Sequence, residues 1–258
     1  TYEYKIAING SWGENYGEGG VRDGNNIRVV VPSKQDVTIW YSDVSHRSVC
    51  SVDYDINAEV SLSGAGIPEG TKMSDPNLGG LFTATVKLAA GTYSGYNSST
   101  RFPMVAGVEV YGGFAGTETL FSERDVENNK TILDGANSYN VLDKSTDNPA
   151  TAENPAIWDG FCINGYNAVI NNHCILRNSE ITVKTEVNGG MVQNCTITNL
   201  QSGKNFKVKA SSIVKGCRFF DNSSSSIPLI ELNNAVLDSC FVYDNSATRN
   251  LIKSTASN

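Results

Sequence analysis

Between Val169 and Ser246 one apolar–polar pattern is written four times. The copies centre on Cys174, Cys195, Cys217 and Cys240, which stand 21, 22 and 23 residues apart. Four residues before each cysteine is an apolar side chain (Ile170, Met191, Ile213, Val236). Two after it is another (Leu176, Ile197, Phe219, Val242), and four after it is Asn or Asp (Asn178, Asn199, Asp221, Asp244). A period of this length with no helical spacing inside it predicts a solenoid whose rungs are strands. Side chains alternate across a strand, so each cysteine and the residue two later share a face. Stacking at about 4.8 Å then predicts a cysteine column beside a Leu–Ile–Phe–Val column. The Asn/Asp column falls where each strand must stop, and these residues tolerate left-handed backbone. The pattern is that of a right-handed parallel β-helix. Stacked cysteines with parallel Cβ vectors suit the disulfide torsion poorly, so they are expected as small, soft core residues.

The N-terminal part follows another pattern. Tyr2, Tyr4, Ile6 and Ile8 alternate with polar or small residues and predict a half-buried strand. Asn9-Gly10 predicts a turn, and a glycine-rich loop is expected over Ser11–Asn26. Further strands are expected over Ile27–Val31, where Pro32 stops the run, over Val37–Tyr41 and over His46–Tyr54. Residues 57–95 carry strand-like stretches at Ala58–Leu62 and Phe82–Leu88, around a loop from Gly64 to Asp75. Solenoid grammar resumes over 96–160. Only 13 residues separate Phe161 from Cys174, which predicts a compressed or offset rung. Leu251-Ile252 opens what looks like another rung with no polar cap behind it, so further rungs or a partner are expected there. The chain begins at Thr1 inside a strand-like run and is expected to be a piece of a longer chain.

Composition narrows the function classes. The net charge is −7 with scattered lysines and arginines, which argues against a nucleic-acid partner or an anionic membrane surface. No stretch of about 18 apolar residues exists, so no membrane insertion is expected. Abundant Gly, Ser, Thr and Asn fit an extracellular or cell-surface all-β protein.

Two stretches resemble known families. Tyr2-Glu3-Tyr4-Lys5-Ile6-Ala7-Ile8-Asn9-Gly10-Ser11-Trp12-Gly13-Glu14-Asn15-Tyr16-Gly17, with Gly24-Asn25-Asn26-Ile27 and Thr38-Ile39-Trp40-Tyr41-Ser42-Asp43, resembles the C-terminal half of X25-type β-sandwich modules. Those modules accompany bacterial pullulanases and amylases, and the resemblance implies association with α-glucans. The chain departs from the family at Arg47, where an aromatic usually follows the final histidine. Leu88-Ala89-Ala90-Gly91-Thr92-Tyr93 is similar to the strand and turn that precede the Tyr-Glu-Tyr-Lys strand in these modules. Residues 57–95 therefore either complete a permuted sandwich or lead into the β-helix. The second stretch runs from Met104 through Val108-Glu109-Val110-Tyr111-Gly112-Gly113-Phe114 to Thr119. With Ser122-Glu123-Arg124-Asp125 and Thr131-Ile132-Leu133-Asp134-Gly135, it resembles the first rungs of pectin-lyase-like β-helices from Bacteroidetes surface proteins. Such helices commonly open with a motif like Ala89–Tyr93, so the resemblance spans about residues 86–258.

The fold expected is all-β: a small Ig-like β-sandwich over 1–95, then a right-handed parallel β-helix of about six rungs over 96–258. Trp12, Asn15, Tyr16 and Trp40 are the candidate carbohydrate contacts. An aromatic face stacks on the apolar face of a sugar ring, and Asn15 or Glu14 could hydrogen-bond its hydroxyls. Trp40 also fits the core of a strand. Enzymes on β-helices set carboxylates and a basic residue on one outer sheet, for acid–base work or to bind calcium. Asp221 and Asp244 with Arg218 are the best such group here, although Asn at the equivalent positions makes them turn residues first. Lys215 and Asp238 stack as a solvated pair worth little. His46 and His173 fall in different predicted domains without a metal-ligand pattern. No residue is assigned to catalysis or to a metal, and calcium is the one cofactor left open. The function expected is a non-catalytic surface protein that binds a polysaccharide or glycan, an α-glucan by resemblance, or serves as an adhesin or filament module. Further copies or domains of a longer surface protein are expected as partners. A polysaccharide lyase or glycoside hydrolase on the β-helix, and a purely structural spacer, are the alternatives.

Overall fold

The computed structural model describes residues 1–53, 60–61, 72–75, 78, 83–94, 102–118, 120–136, 140–146, 149–201 and 203–255. Its residues are all-β, with two 3₁₀ turns and no α-helix among those described. No helix there is long and apolar enough to cross a membrane. The chain divides into two compact units, residues 1–62 with 72–83, and residues 63–71 with 84–258.

The larger unit is built from three parallel seven-stranded sheets, the arrangement of a parallel β-helix or solenoid. The chain visits the sheets in turn. One rung runs Ala156–Asp159, Cys162–Asn164, Asn167–Asn171, and the next runs Cys174–Arg177, Glu180–Ile181, Lys184–Asn188. Alternation turns one side chain of each strand inward. In the first sheet Val110, Trp158, Leu176, Val192 and Val214 stack in register. In the second, Leu133, Ile163, Ile181, Ile197 and Phe219 do the same. All are buried. Fully burying one such side chain contributes about 1.5–3 kcal/mol, so these ladders carry most of the unit's stability.

Three expectations change here. First, the described residues form seven rungs rather than about six, because strands before residue 96 join the sheets. Ala84–Ala89 pairs with Val108–Phe114, and Gly91–Ser94 with Thr131–Asp134. This segment leads into the solenoid.

Second, the four-copy alignment shifts by five residues at its first copy. Ile175 pairs with Met191 and Leu176 with Val192, so Cys174 starts a first-sheet strand beside Ala156. The corner cysteine position is taken by Ser179, whose carbonyl accepts from Thr196 N–H at 2.8 Å. Cys195, Cys217 and Cys240 do stack at that corner. The carbonyls of Cys195 and Cys217 each accept an N–H from the next rung at 2.9 Å. All six cysteines are free thiols. Phe161 is followed on the next rung by Ser179, not Cys174, so that rung is complete.

Third, the left-handed turn residues form two columns. Asn178 (φ 50°) stands with Asn194 (φ 52°), at the turn before the second sheet. Asn199, Asp221 and Asp244 (φ 56°, 53° and 49°) stand at the turn after it.

The smaller unit contains four two-stranded antiparallel pairs, which the described residues do not join into the larger sheets of a sandwich. The long first strand breaks at Lys5. Tyr2–Tyr4 pairs with Ile27–Val29, and Ile6–Ile8 pairs with Ser11–Tyr16. The stretch expected as a loop from Ser11 is thus the returning arm of a hairpin as far as Tyr16. Asn9 and Gly10 turn it with φ of 52° and 68°, the left-handed angles this residue pair allows. Ile39–Tyr41 pairs with Ser48–Cys50, and Val60–Ser61 with Lys72–Met73. The expected strand starts at Ala58 and Phe82, the end at Tyr54, and the loop over 64–71 lie outside the described residues.

Candidate functional site

The hairpin of the smaller unit distributes its aromatics unequally. Trp12 is 68% exposed, whereas Asn15 and Tyr16 are buried. Tyr16 lies flat against the His46 ring, centroids 3.9 Å apart and planes within 4°. Its hydroxyl donates to Glu14 Oε1 at 2.8 Å. That hydrogen bond, followed by burial, raises the Tyr16 phenol above its ordinary value. On its other side His46 Nδ1 is 2.7 Å from the Tyr41 hydroxyl, whose own pKa is raised by burial. Asn15 Nδ2 donates to Asp23 Oδ1 (2.7 Å) and to the Trp12 carbonyl (3.1 Å). Its Oδ1 is buried with no hydrogen-bond partner among the described residues. Trp40 is half-buried, opposite Val49.

Of the four candidate contacts, then, only Trp12 presents a free ring. Asn15 and Tyr16 hold the hairpin beneath it, and Trp40 belongs to a different strand pair. The His46 contacts were not legible in the sequence. Thirty residues separate His46 from Tyr16, and only folding brings the rings together.

A groove of about 710 Å³ lies elsewhere on the same unit. Tyr2, Tyr4, Val29 and Ile39 give it an apolar lining, and Lys34 and Gln35 supply polar groups. Tyr2 and Tyr4 face the same way because they are two apart on one strand. Tyr2 is 65% exposed, and the Tyr4 hydroxyl is held by Ser48 Oγ at 3.3 Å.

On the solenoid, the carboxylates expected to matter are turn residues. Asp221 and Asp244 are exposed in left-handed conformation, and Asp221 N–H donates to the Asp244 carbonyl at 3.1 Å. Arg218 is occupied with Thr196 Oγ1 at 3.3 Å. Lys215 and Asp238 form a 3.3 Å ion pair with both side chains more than half exposed.

A different group stands on the outer face of the first sheet. Asp159 is only 4% exposed and meets both Arg124 Nη2 and Arg177 Nε at 2.6 Å. It also accepts from Asn178 Nδ2 at 3.1 Å. Arg177 donates to the Tyr111 hydroxyl at 3.3 Å, which in turn donates to Glu109 Oε2 at 2.8 Å. Burial, then that bond to Glu109, raises the Tyr111 phenol. Phe121 packs edge-on to Tyr111 at 4.8 Å. Gly160 (φ 83°) makes room for Arg124, since a Cβ there would collide with the guanidinium. The arrangement binds the 115–130 excursion to the sheet, with its one buried carboxylate shared by two cations. Among the described residues no three His, Cys, Asp or Glu side chains group to hold a metal ion.

The smaller unit, which holds both Trp12 and the groove, has relatives. Residues 1–48 match the Pullulanase X25 domain. Over 46 residues the chain is 42% identical to amylopullulanases of Thermoanaerobacterium thermosulfurigenes and Thermoanaerobacterium saccharolyticum. That stretch is 18% of this chain and only 2% and 4% of those two proteins. No solved structure matches the chain. Residues 1–48 are thus similar to a domain found in pullulanases, and the parallel β-solenoid comes later in the same chain.

Proposed function

We propose that this protein is a non-catalytic extracellular or cell-surface protein whose N-terminal unit binds carbohydrate, specifically an α-glucan. The single observation that carries this reading is the match of residues 1–48 to a domain named for pullulanase, with amylopullulanases as relatives. Trp12 supplies the exposed ring against which a sugar can stack. The amphipathic character of aromatic side chains suits such a surface. Asn15 and Tyr16 brace the hairpin that carries Trp12, and Trp40, half-buried on another strand pair, is a further candidate contact. The solenoid serves as a right-handed, pectin-lyase-like β-helix that displays the module, in the manner of an adhesin or filament segment. The state of Asp159 favours this reading over a lyase or hydrolase on the same sheet. That carboxylate is buried and already accepts from Arg124, Arg177 and Asn178, so it is engaged as a structural brace.

The test is electrophoresis of the whole chain through gels containing starch, pullulan, pectin or mucin, beside a glycan-free gel. Retardation by starch or pullulan is the expected result. Equal mobility in all five gels would overturn the proposal.

A further inference from the structure

The groove beside Tyr2 and Tyr4 is not used by the Trp12 platform. Its volume of about 710 Å³ falls within the roughly 300–1,000 Å³ of small-ligand clefts. We infer that it is a second saccharide subsite, which takes an extended segment of the same α-glucan; the inference rests on the carbohydrate reading above.

Four observations carry it. Every residue that the structure shows lining the groove lies within the stretch matched to the X25 domain. Its walls are amphipathic, with tyrosine rings and aliphatic side chains below and Ser33, Lys34 and Gln35 as polar groups. A sugar ring offers the matching surface, with apolar faces and a hydroxyl edge. Tyr2 and Tyr4 are spaced by about 7 Å along one strand, so both rings can meet successive units of one chain. Finally, Tyr4 is held by Ser48 Oγ while Tyr2 stands free, so one ring is pre-set and the other can close on a ligand. Preorganised aromatic anchors carry most of the affinity of such contacts. Among the described residues the lining includes a single cation, Lys34, and no carboxylate, which fits a neutral glucan.

The experiment measures binding of a linear maltooligosaccharide to the full chain by calorimetry, with starch-gel retardation as a second readout. Tyr2→Ala and Gln35→Ala are each expected to weaken binding at least about fivefold, while Tyr2→Phe stays close to wild type because ring stacking is retained. Trp12→Ala is expected to weaken binding independently, so Trp12→Ala with Tyr2→Ala loses the product of the two factors. Thermal unfolding of each variant confirms that the fold is kept; Tyr2 is exposed enough for that. If wild type binds and Trp12→Ala abolishes binding while Tyr2→Ala and Gln35→Ala do not alter it, the groove is not a subsite and the carbohydrate reading stands. If wild type does not bind the glucan at all, the carbohydrate reading itself falls.

Discussion

The two units of this chain bury their side chains by different means. In the solenoid an inward position of an inner rung sees the same position one rung above and below, so Leu176, Ile197 and Phe219 are sealed completely. One polar residue beside a turn is absorbed as well. Asn222 is 2% exposed and donates to the carbonyls of Ile197 and Phe220, while its own Oδ1 accepts from Leu200 N–H. Among the described residues the N-terminal unit has only two-stranded pairs, which expose Trp12, Tyr2 and Ile39. A repeat closes its own core, yet both units keep large apolar side chains at the surface: Trp12 and Tyr2 in the smaller unit, Tyr166, Val236 and Phe241 in the solenoid. The difference between the units lies in how the interior is sealed.

The largest expected effect lies in the ladder. Phe219→Ala should destabilise the solenoid by about 3–5 kcal/mol, read as a lower urea midpoint. Trp12→Ala should shift the midpoint by no more than about 0.5 kcal/mol. Equal effects would erase the distinction between the two units.

Next comes the brace on the first sheet. Asp159→Ala leaves Arg124 and Arg177 facing each other without their shared carboxylate, at an expected cost of about 3 kcal/mol. Limited proteolysis should then cut first within residues 115–130. A cost near zero would show that the ion cluster does not secure that excursion.

Acid should loosen the same excursion more gently. Glu118 has its pKa lowered by backbone N–H donors from Ala115, Gly116 and Thr117. That of Asp125 is lowered by Asn128, through side chain and backbone, and by Glu127 N–H. A carboxylate held below its ordinary value stabilises fully above pH of about 4–4.5. The contribution is lost as pH falls through the lowered folded-state value. Protection of the amides over 115–129, taken relative to their intrinsic exchange rate at each pH, should therefore fall below pH of about 4, while the core ladder remains protected. Unchanged protection there would contradict the role given to these two carboxylates.

Thiol labelling gives a further contrast. Burial pushes the Cys174 thiol up to about 11 and raises Cys195 as well. Both should resist a thiol reagent at mildly alkaline pH until the solenoid unfolds. The half-buried Cys162 and Cys240 should label first. The smallest effect is expected at Lys215 and Asp238, where removing either charge should leave the unfolding midpoint unchanged within error.

The period-of-about-22 pattern made the solenoid legible, because a stacked strand repeats its apolar positions in the sequence itself. Its exact alignment was not legible. Cys174 imitates the later cysteines, but the Ile175-to-Met191 rung has only 16 residues, and rung length varies where polar turns absorb insertions. Asp221 and Asp244 read correctly as turn residues, since their chemistry and their backbone angle agree. The Asp159 cluster was hidden because its members lie at positions 111, 124, 159 and 177 and meet only through rung stacking. In the N-terminal unit, Asn9-Gly10 announced its turn, but a hairpin arm with Trp12, Gly13 and Asn15 imitates a loop. Burial of Tyr16 depends on His46, a partner that periodicity cannot supply.

The most direct test of this account is amide exchange of the full chain with and without a linear maltooligosaccharide. The account predicts protection confined to residues 1–48, centred on the Trp12 hairpin and the Tyr2–Tyr4 strand, with the solenoid strands unchanged. Protection on the outer face of the first sheet around Asp159 and Arg177, or none anywhere, would contradict it.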